Sequence, residues 1–209
     1  MSTSDPAAPV VLLHGGIWAE LDAERFWHRP GISAGLTAAG FQVAAPDRPA
    51  RPESWRTEAR ALAGLLPDRR AVVVAGSNGC SAAVRLALDT PDAVGRLVLA
   101  WPATAGDPAV DAGTRNRLTR LGAPERVVGD LLAGETLRGI ADAELATLYV
   151  PVAVIGSIPD NPAHQRRTVD ALLRLVPGAR ESAGSPEPPR PEFPPHRDRF
   201  VAALIALIS

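Results

Sequence analysis

Short runs of consecutive hydrophobic residues alternate along this chain with longer stretches in which hydrophobic residues recur every three or four positions. Unbroken runs of this kind are typical of strands that are buried on both faces of a sheet, and the longer period is typical of amphipathic helices. The pattern predicts six strands, at 10–13, 41–45, 71–75, 96–100, 151–155 and 179–183. It predicts helices at 32–39, 52–66, 80–88, 164–176 and 197–208.

Strands and helices that alternate in this way predict an α/β fold, with a mainly parallel six-stranded sheet, helices on both faces and right-handed crossovers. The length suits one domain over residues 9–209, preceded by a disordered N-terminus at 1–8. Between 103 and 149 the alternation breaks into short helical pieces separated by glycines. This stretch is either a short helical cap inserted into the domain or a set of ordinary connecting helices.

Composition excludes several classes of protein. The 209 residues carry a net charge of −1, and 46% of them are hydrophobic, so no basic field attracts nucleic acid or an anionic membrane surface. All 22 basic residues are arginine, which excludes Schiff-base chemistry through lysine and indicates a GC-rich, bacterial type of coding sequence. One cysteine, Cys80, and the lack of a signal peptide or membrane-spanning run predict a cytoplasmic protein.

A serine stands in a tight turn between the third predicted strand and the helix that follows it. The turn reads Ala75-Gly76-Ser77-Asn78-Gly79. Small residues on both sides of Ser77 allow the strand and helix backbones to approach closely. The turn also places backbone N–H groups and the positive end of the helix beside any charge that forms on a carbonyl oxygen.

This turn resembles the nucleophile elbow of the α/β-hydrolase family, G-x-S-x-G, with Ser77 as the nucleophile and Ala75 in place of the first glycine. The first strand runs into His14-Gly15-Gly16, which is similar to the family's oxyanion loop. The resemblance implies that the backbone N–H groups of Gly16 and Asn78 form the oxyanion hole. It implies a structural role for His14 and a loop-anchoring role for Asp47 in the passage Gly-Phe-x-Val-x-x-Pro-Asp.

The resemblance also suggests the other two members of a triad. The family's acid commonly follows the strand that corresponds to 151–155, which indicates Asp160, with Asp107 as the reserve candidate. The family's histidine follows the last strand, but Gly184-Ser185 stands where Gly-His is expected. The next histidine is His196, which a semi-rigid polyproline segment would have to carry to the serine. His164 is the second candidate, and a first-turn helical position there would point it outward.

These residues together predict a serine hydrolase that cleaves an ester or thioester of a small apolar acyl group through Ser77, His196 and Asp160. Ile17, Trp18 and Trp101 are the expected substrate contacts. No cofactor and no metal are expected, because the histidines are scattered and Cys80 has no partner cysteine. Two alternatives stay open: a catalytically silent relative that binds a small molecule or protein, and a non-hydrolytic member such as a lyase or cofactor-free peroxidase.

Overall fold

The computed structural model describes residues 8–18 and 21–209, so the disorder predicted for 1–8 lies outside the described residues except at Ala8. Six strands form one sheet in which every pairing is parallel, as the sequence predicts, in the order β2-β1-β3-β4-β5-β6. The strands are β1 (Val10–Leu13), β2 (Val43–Ala44), β3 (Ala71–Gly76), β4 (Val94–Ala100), β5 (Val152–Ser157) and β6 (Arg180–Ser185).

The described part of the chain contains eight α-helices. They are α1 (Ile32–Ala38), α2 (Trp55–Ala63), α3 (Gly79–Asp89), α4 (Pro108–Arg120), α5 (Glu125–Leu132), α6 (Asp142–Leu145), α7 (Arg166–Leu175) and α8 (Arg197–Ile208). Five lie close to the predicted helices, and α4, α5 and α6 lie in the stretch 103–149, where the sequence predicts short helical pieces. A π-helical turn, Glu24–His28, follows the loop after β1, and a 3₁₀ turn, Pro194–His196, precedes α8. Within the described residues, none of the helices has the length and apolar character needed to span a bilayer.

The sheet divides the hydrophobic core into two clusters because side chains alternate between its faces. In β3, Val73 faces α2, α3 and α7, whereas Val72 and Val74 face α1 and α8. The helices α4 and α5, between β4 and β5, extend the first cluster. Burial on both faces explains why the central strand reads as an unbroken valine run in the sequence.

An aromatic group anchors the second face close to the carboxyl end of the sheet. Trp101 stacks on Phe200 with ring centroids 4.7 Å apart, and it makes edge-to-face contacts with Phe26 and Phe193. The indole N–H of Trp101 donates to the carbonyl of Ser185 at 2.8 Å. These contacts fix the loop after β6 and the π-helical turn relative to the end of β4, and this edge of the sheet carries the candidate site.

Candidate active site

Ser77 occupies a strained turn between β3 and α3. Its φ is +53°, in the left-handed region that is unfavourable for a residue with a side chain, and its N–H donates to the carbonyl of Ala100 at 3.0 Å. The strand, turn and helix lie where the sequence predicts them. Strain of this kind at a serine lifts the hydroxyl away from the backbone at the edge of the sheet.

The small residues around Ser77 are required by close packing. A Cβ atom on Gly76 would lie 2.5 Å from a ring carbon of Phe26, and one on Gly79 would lie 2.6 Å from the carbonyl oxygen of His14. Ala75 is completely buried, and its methyl group fits where the family pattern has glycine. The departure from the pattern at Ala75 therefore leaves the geometry of the turn intact.

The structure brings His164, and not His196, to the serine. Nε2 of His164 lies 2.8 Å from Oγ of Ser77. The hydrophobic pattern predicts a helix with His164 in its first turn, but α7 begins at Arg166. His164 instead lies in the preceding loop, where its N–H donates to the carbonyl of Asn161 at 3.0 Å and the N–H of Gln165 donates to Thr104. These bonds turn the imidazole inward, and it is buried.

His196 is at the end of the 3₁₀ turn that precedes α8, and its Nδ1 accepts from Arg199 at 3.0 Å. The prediction that the proline-rich segment carries His196 to Ser77 is wrong. Phe193 is the reason: it is buried against Trp101 and Phe200, which holds the segment on the α8 side of the sheet.

A glutamate stands behind the histidine. Oε1 of Glu187, in the loop after β6, lies 2.8 Å from Nδ1 of His164, and both side chains are more than nine-tenths buried. The carboxylate oxygen is thus at ion-pair distance from the ring nitrogen that is not in contact with Ser77. Asn161 donates to the same oxygen at 2.7 Å, Ser157 lies 3.0 Å from it, and Arg190 lies 3.4 Å from Oε2.

These partners determine the charge of the glutamate. Burial raises the pKa of Glu187, but its contacts with His164, Asn161 and Arg190 outweigh burial and hold the pKa below its ordinary value. The carboxylate therefore stays ionised at neutral pH. A negative charge 2.8 Å from Nδ1 favours a proton on that nitrogen, which leaves Nε2 free to accept from the serine hydroxyl.

The two aspartates suggested by the sequence do not occupy this position. Asp160 is exposed in the turn after β5. Asp107 caps the N-terminus of α4, where its Oδ1 accepts from the N–H groups of Ala109 and Val110 at 3.0 and 3.1 Å. Those bonds make Asp107 a helix cap, and they also lower the pKa of its carboxyl group. The predicted Ser77, Asp160 and His196 arrangement is thus replaced by Ser77, His164 and Glu187.

The loop after β1 packs directly on the elbow. A Cβ atom on Gly15 would lie 3.0 Å from Cβ of Ser77, and Gly16 has a φ of +84°, which favours glycine. His14 Nδ1 lies 2.7 Å from the carbonyl oxygen of Gly15, and its Nε2 accepts from the N–H of Arg48. Burial and the Arg48 cation lower the pKa of His14, so the ring is neutral and holds the loop.

Asn78, the residue after the serine, contacts the segment between β4 and β5. Nη1 of Arg138 donates to Oδ1 of Asn78 at 3.0 Å, and Nη2 of Arg138 donates to Asp111 on α4 at 2.8 Å. Burial lowers the pKa of the Arg138 guanidinium. Gly134 and Gly139, both with positive φ, shape the turn that carries this arginine to the elbow.

The three expected substrate contacts lie in different surroundings. Ile17 is buried in the first hydrophobic cluster, and Trp101 is buried in the aromatic group, where no substrate reaches it, so the prediction for Trp101 is wrong. Trp18 lines a cavity of about 300 Å³ together with Gly15 and Gly16, and its indole N–H donates to Pro52 at 3.1 Å. Of the three, Trp18 is the one that lines this cavity.

Cys80 is enclosed by the core one turn after the serine. Its Sγ donates to the carbonyl of Ala75, and burial raises the pKa of the thiol, so no thiolate forms there at neutral pH. No three His, Cys, Asp or Glu side chains converge as metal ligands in the part of the chain that the structure describes.

No protein-family model and no curated protein sequence matches this chain. Solved structures do. The putative non-heme bromoperoxidase BpoC from Mycobacterium tuberculosis is 16% identical at a TM-score of 0.74, with 97% of this chain and 93% of that chain covered. An esterase from Exiguobacterium antarcticum is 14% identical at a TM-score of 0.71, with 97% of this chain and 92% of that chain covered. Est816, an N-acyl homoserine lactone degrading enzyme, is 18% identical at a TM-score of 0.70, with 96% of this chain and 93% of that chain covered. Together with the parallel sheet and the serine turn, these similarities show that the chain has the α/β-hydrolase fold.

Proposed function

We propose that this protein is a serine hydrolase that acts by acyl transfer, with Ser77 as the nucleophile, His164 as the general base and Glu187 as the acid. The observation that carries the proposal is the 2.8 Å contact between His164 Nε2 and Ser77 Oγ, with a buried ionised carboxylate on the other side of the imidazole. Three side chains in this relation are what nucleophilic catalysis by serine requires.

In the proposed mechanism, the Ser77 hydroxyl attacks the substrate carbonyl carbon as its proton passes to His164 Nε2. Glu187 stabilises the imidazolium that results. The carbonyl oxygen becomes an oxyanion, which the N–H groups of Gly16 and Asn78 would bind. His164 then gives its proton to the leaving alcohol or thiol, and the acyl group remains on Ser77. A water molecule, deprotonated by His164, attacks this ester and releases the acid.

The base and the acid are exchanged in position relative to the family pattern. The family has the acid after the strand equivalent to β5 and the histidine after the strand equivalent to β6. Here His164 follows β5 and Glu187 follows β6, so the chain order is Ser, His, Glu. The two loops are adjacent because β5 and β6 pair, and either loop therefore delivers a side chain to the same place. A triad is defined by geometry and not by sequence order.

We propose an ester or thioester of a small apolar acyl group as the substrate. The cavity beside Gly15 and Gly16 has about 300 Å³, which is at the small end of the range for ligand sites. Its lining combines Trp18 and Leu21 with the charged side chains of Asp22, Arg25 and Asp47, so the cavity supports the small size of the acyl group and not its apolar character. The similar structures include two named esterases, an N-acyl homoserine lactone degrading enzyme and a thioesterase domain, which supports acyl-group chemistry.

The test is hydrolysis of p-nitrophenyl esters and acyl thioesters of two to eight carbons by the wild type and by Ser77→Ala. We expect turnover of the shortest chains by the wild type and none by the variant, with release of the free acid confirmed by mass spectrometry. Absence of turnover by a folded wild type would favour the silent binding protein. Reaction without hydrolysis would favour the lyase or peroxidase alternative.

A further inference from the structure

Arg48 is buried behind the loop that follows β1. Its Nη1 donates to three successive carbonyl oxygens, those of His14, Gly15 and Gly16, at 2.7, 3.2 and 3.0 Å. Its side chain is 5% exposed. The three carbonyls are thus directed toward one guanidinium. Bonds from a charged donor in a water-excluded site are among the stronger hydrogen bonds of a protein, so they hold the loop in this orientation.

The direction of these carbonyls fixes the direction of the N–H groups. A trans peptide unit is planar, and its N–H points opposite to its C=O. The carbonyl of Gly15 points to Arg48 Nη1 and is also 2.7 Å from Nδ1 of His14. The N–H of Gly16, in the same peptide unit, therefore points away from Arg48. A Cβ atom on Gly15 would lie 3.0 Å from Cβ of Ser77, so this peptide unit adjoins the nucleophile.

The guanidinium is itself held from several directions. Nε donates to Oε1 of Glu58 at 2.6 Å, and the Glu58 side chain is completely buried on α2. The guanidinium carbon lies 5.8 Å from the ring centroid of Trp55, and the backbone N–H of Arg48 donates to His14 Nε2. A buried ion pair is costly to desolvate and often adds little to stability, so its position against the loop calls for another explanation.

We propose that Arg48 is the positioning residue of the oxyanion hole, which sets the orientation of the Gly16 N–H toward the substrate carbonyl. This inference rests on the proposed hydrolase function and adds to it a residue outside the three that carry out the proton transfers. Arg48 does not touch the reacting atoms; it acts through the peptide unit between Gly15 and Gly16.

The test compares Arg48→Lys and the double variant Arg48→Met/Glu58→Gln with the wild type. The double variant removes both charges, so it leaves no uncompensated charge in the core. The matched control is Arg85→Met/Glu144→Gln, which removes another buried arginine and one of its two carboxylate partners, 2.7 Å away, outside the loop. The other partner, Asp89, keeps its ion pair with Arg56. Thermal unfolding of each variant identifies the folded ones.

The decisive readout is the ratio of kcat for an ester to kcat for the matching thionoester. Sulfur is a poor hydrogen-bond acceptor, so a correctly aimed oxyanion donor favours the ester. Loss of folded enzyme lowers both rates equally and leaves the ratio unchanged. We expect both Arg48 variants to lose about 10- to 100-fold in kcat for the ester, with little change in KM and a ratio reduced by about tenfold, since removal of a whole donor costs about 10²- to 10³-fold.

The control is expected to retain the wild-type ratio. A folded Arg48 variant with the wild-type ratio would overturn the inference while leaving the hydrolase function intact. A wild type that hydrolyses neither substrate would overturn the proposed function itself, and with it the role of Arg48. The two failures are therefore distinguishable by the activity of the wild type.

Discussion

The substitution Glu187→Gln tests the exchanged acid most specifically, because it removes one charge and keeps the shape of the side chain. In the wild type the ionised carboxylate lies 2.8 Å from Nδ1 of His164 and accepts from Asn161. A glutamine can rotate its amide to keep an oxygen toward Asn161, but it has no charge to offer an imidazolium. The variant should therefore fold, but the step in which His164 takes the proton of Ser77 should be slow.

The magnitude follows from the distance between the charges. Two unit charges about 4 Å apart, the separation of the charge centres, interact by about 4 kcal/mol at an effective dielectric constant of about 20. This attraction is present when His164 carries the proton and absent in the ground state. Its loss raises the barrier by about that amount, which lowers kcat by about 10³-fold. Arg190, at 3.4 Å from the other oxygen, already offsets part of the carboxylate's field, so about 10²-fold is the lower end of the expected loss.

The assay is steady-state hydrolysis of a p-nitrophenyl ester, with circular dichroism to establish folding. Glu192→Gln, an exposed glutamate in the same segment, controls for general charge effects. Asp160→Asn controls for the acid position that the sequence pattern suggests, and both controls should keep wild-type kcat. A folded Glu187→Gln variant within threefold of the wild type, or an Asp160→Asn variant that loses 10²-fold, would refute the assignment.

Three further predictions concern the residues around the site. Arg138→Met should lower the free energy of unfolding by about 2 kcal/mol in urea denaturation, because it removes charged hydrogen bonds to Asn78 and Asp111; no loss would contradict the contact. The free energy of unfolding should decrease as pH falls below the ordinary histidine pKa of 6.5. The unfolded chain then binds a proton at His14, whereas the lowered pKa in the fold keeps the ring neutral. His14→Asn should flatten this dependence in thermal scans. Asp107→Ala should lower Tm through loss of a helix cap while ester hydrolysis persists; loss of hydrolysis without loss of Tm would instead make Asp107 the acid.

The elements of the fold could be predicted because their signals are local. The valine run of β3 alternates its side chains between two clusters, and the helices have apolar residues on one face. The turn at Ser77 could be predicted for the same reason, since its small residues are close in sequence to the serine that they accommodate. The strand predicted at 41–45 is only two residues long in the structure, because β2 lies at the edge of the sheet and pairs with β1 alone.

The histidine and the acid could not be predicted because their positions depend on contacts between distant residues. Thr104, just after β4, accepts from the N–H of Gln165 and so fixes the loop that carries His164. Phe193 holds the segment that leads to His196 on the α8 side of the sheet because it packs against the buried Trp101 and Phe200. Neither contact has a sequence pattern.

One signal was nevertheless present in the sequence. Ser185 stands where a histidine was expected, a histidine follows the preceding strand, and a glutamate follows the last strand two residues after Ser185. Those facts together are consistent with an exchange of base and acid between the two loops. The family order led instead to Asp160 and His196.

The measurement that tests the central claim most directly is the intact mass of each protein after exposure to a fluorophosphonate probe. Wild type, Ser77→Ala, His164→Ala and His196→Ala are compared under the same conditions. We predict one adduct on the wild type and on His196→Ala, none on Ser77→Ala, and labelling slowed by about 10³-fold or more on His164→Ala, because the serine loses its general base. Rapid labelling of His164→Ala together with loss of labelling in His196→Ala would contradict the triad of Ser77, His164 and Glu187.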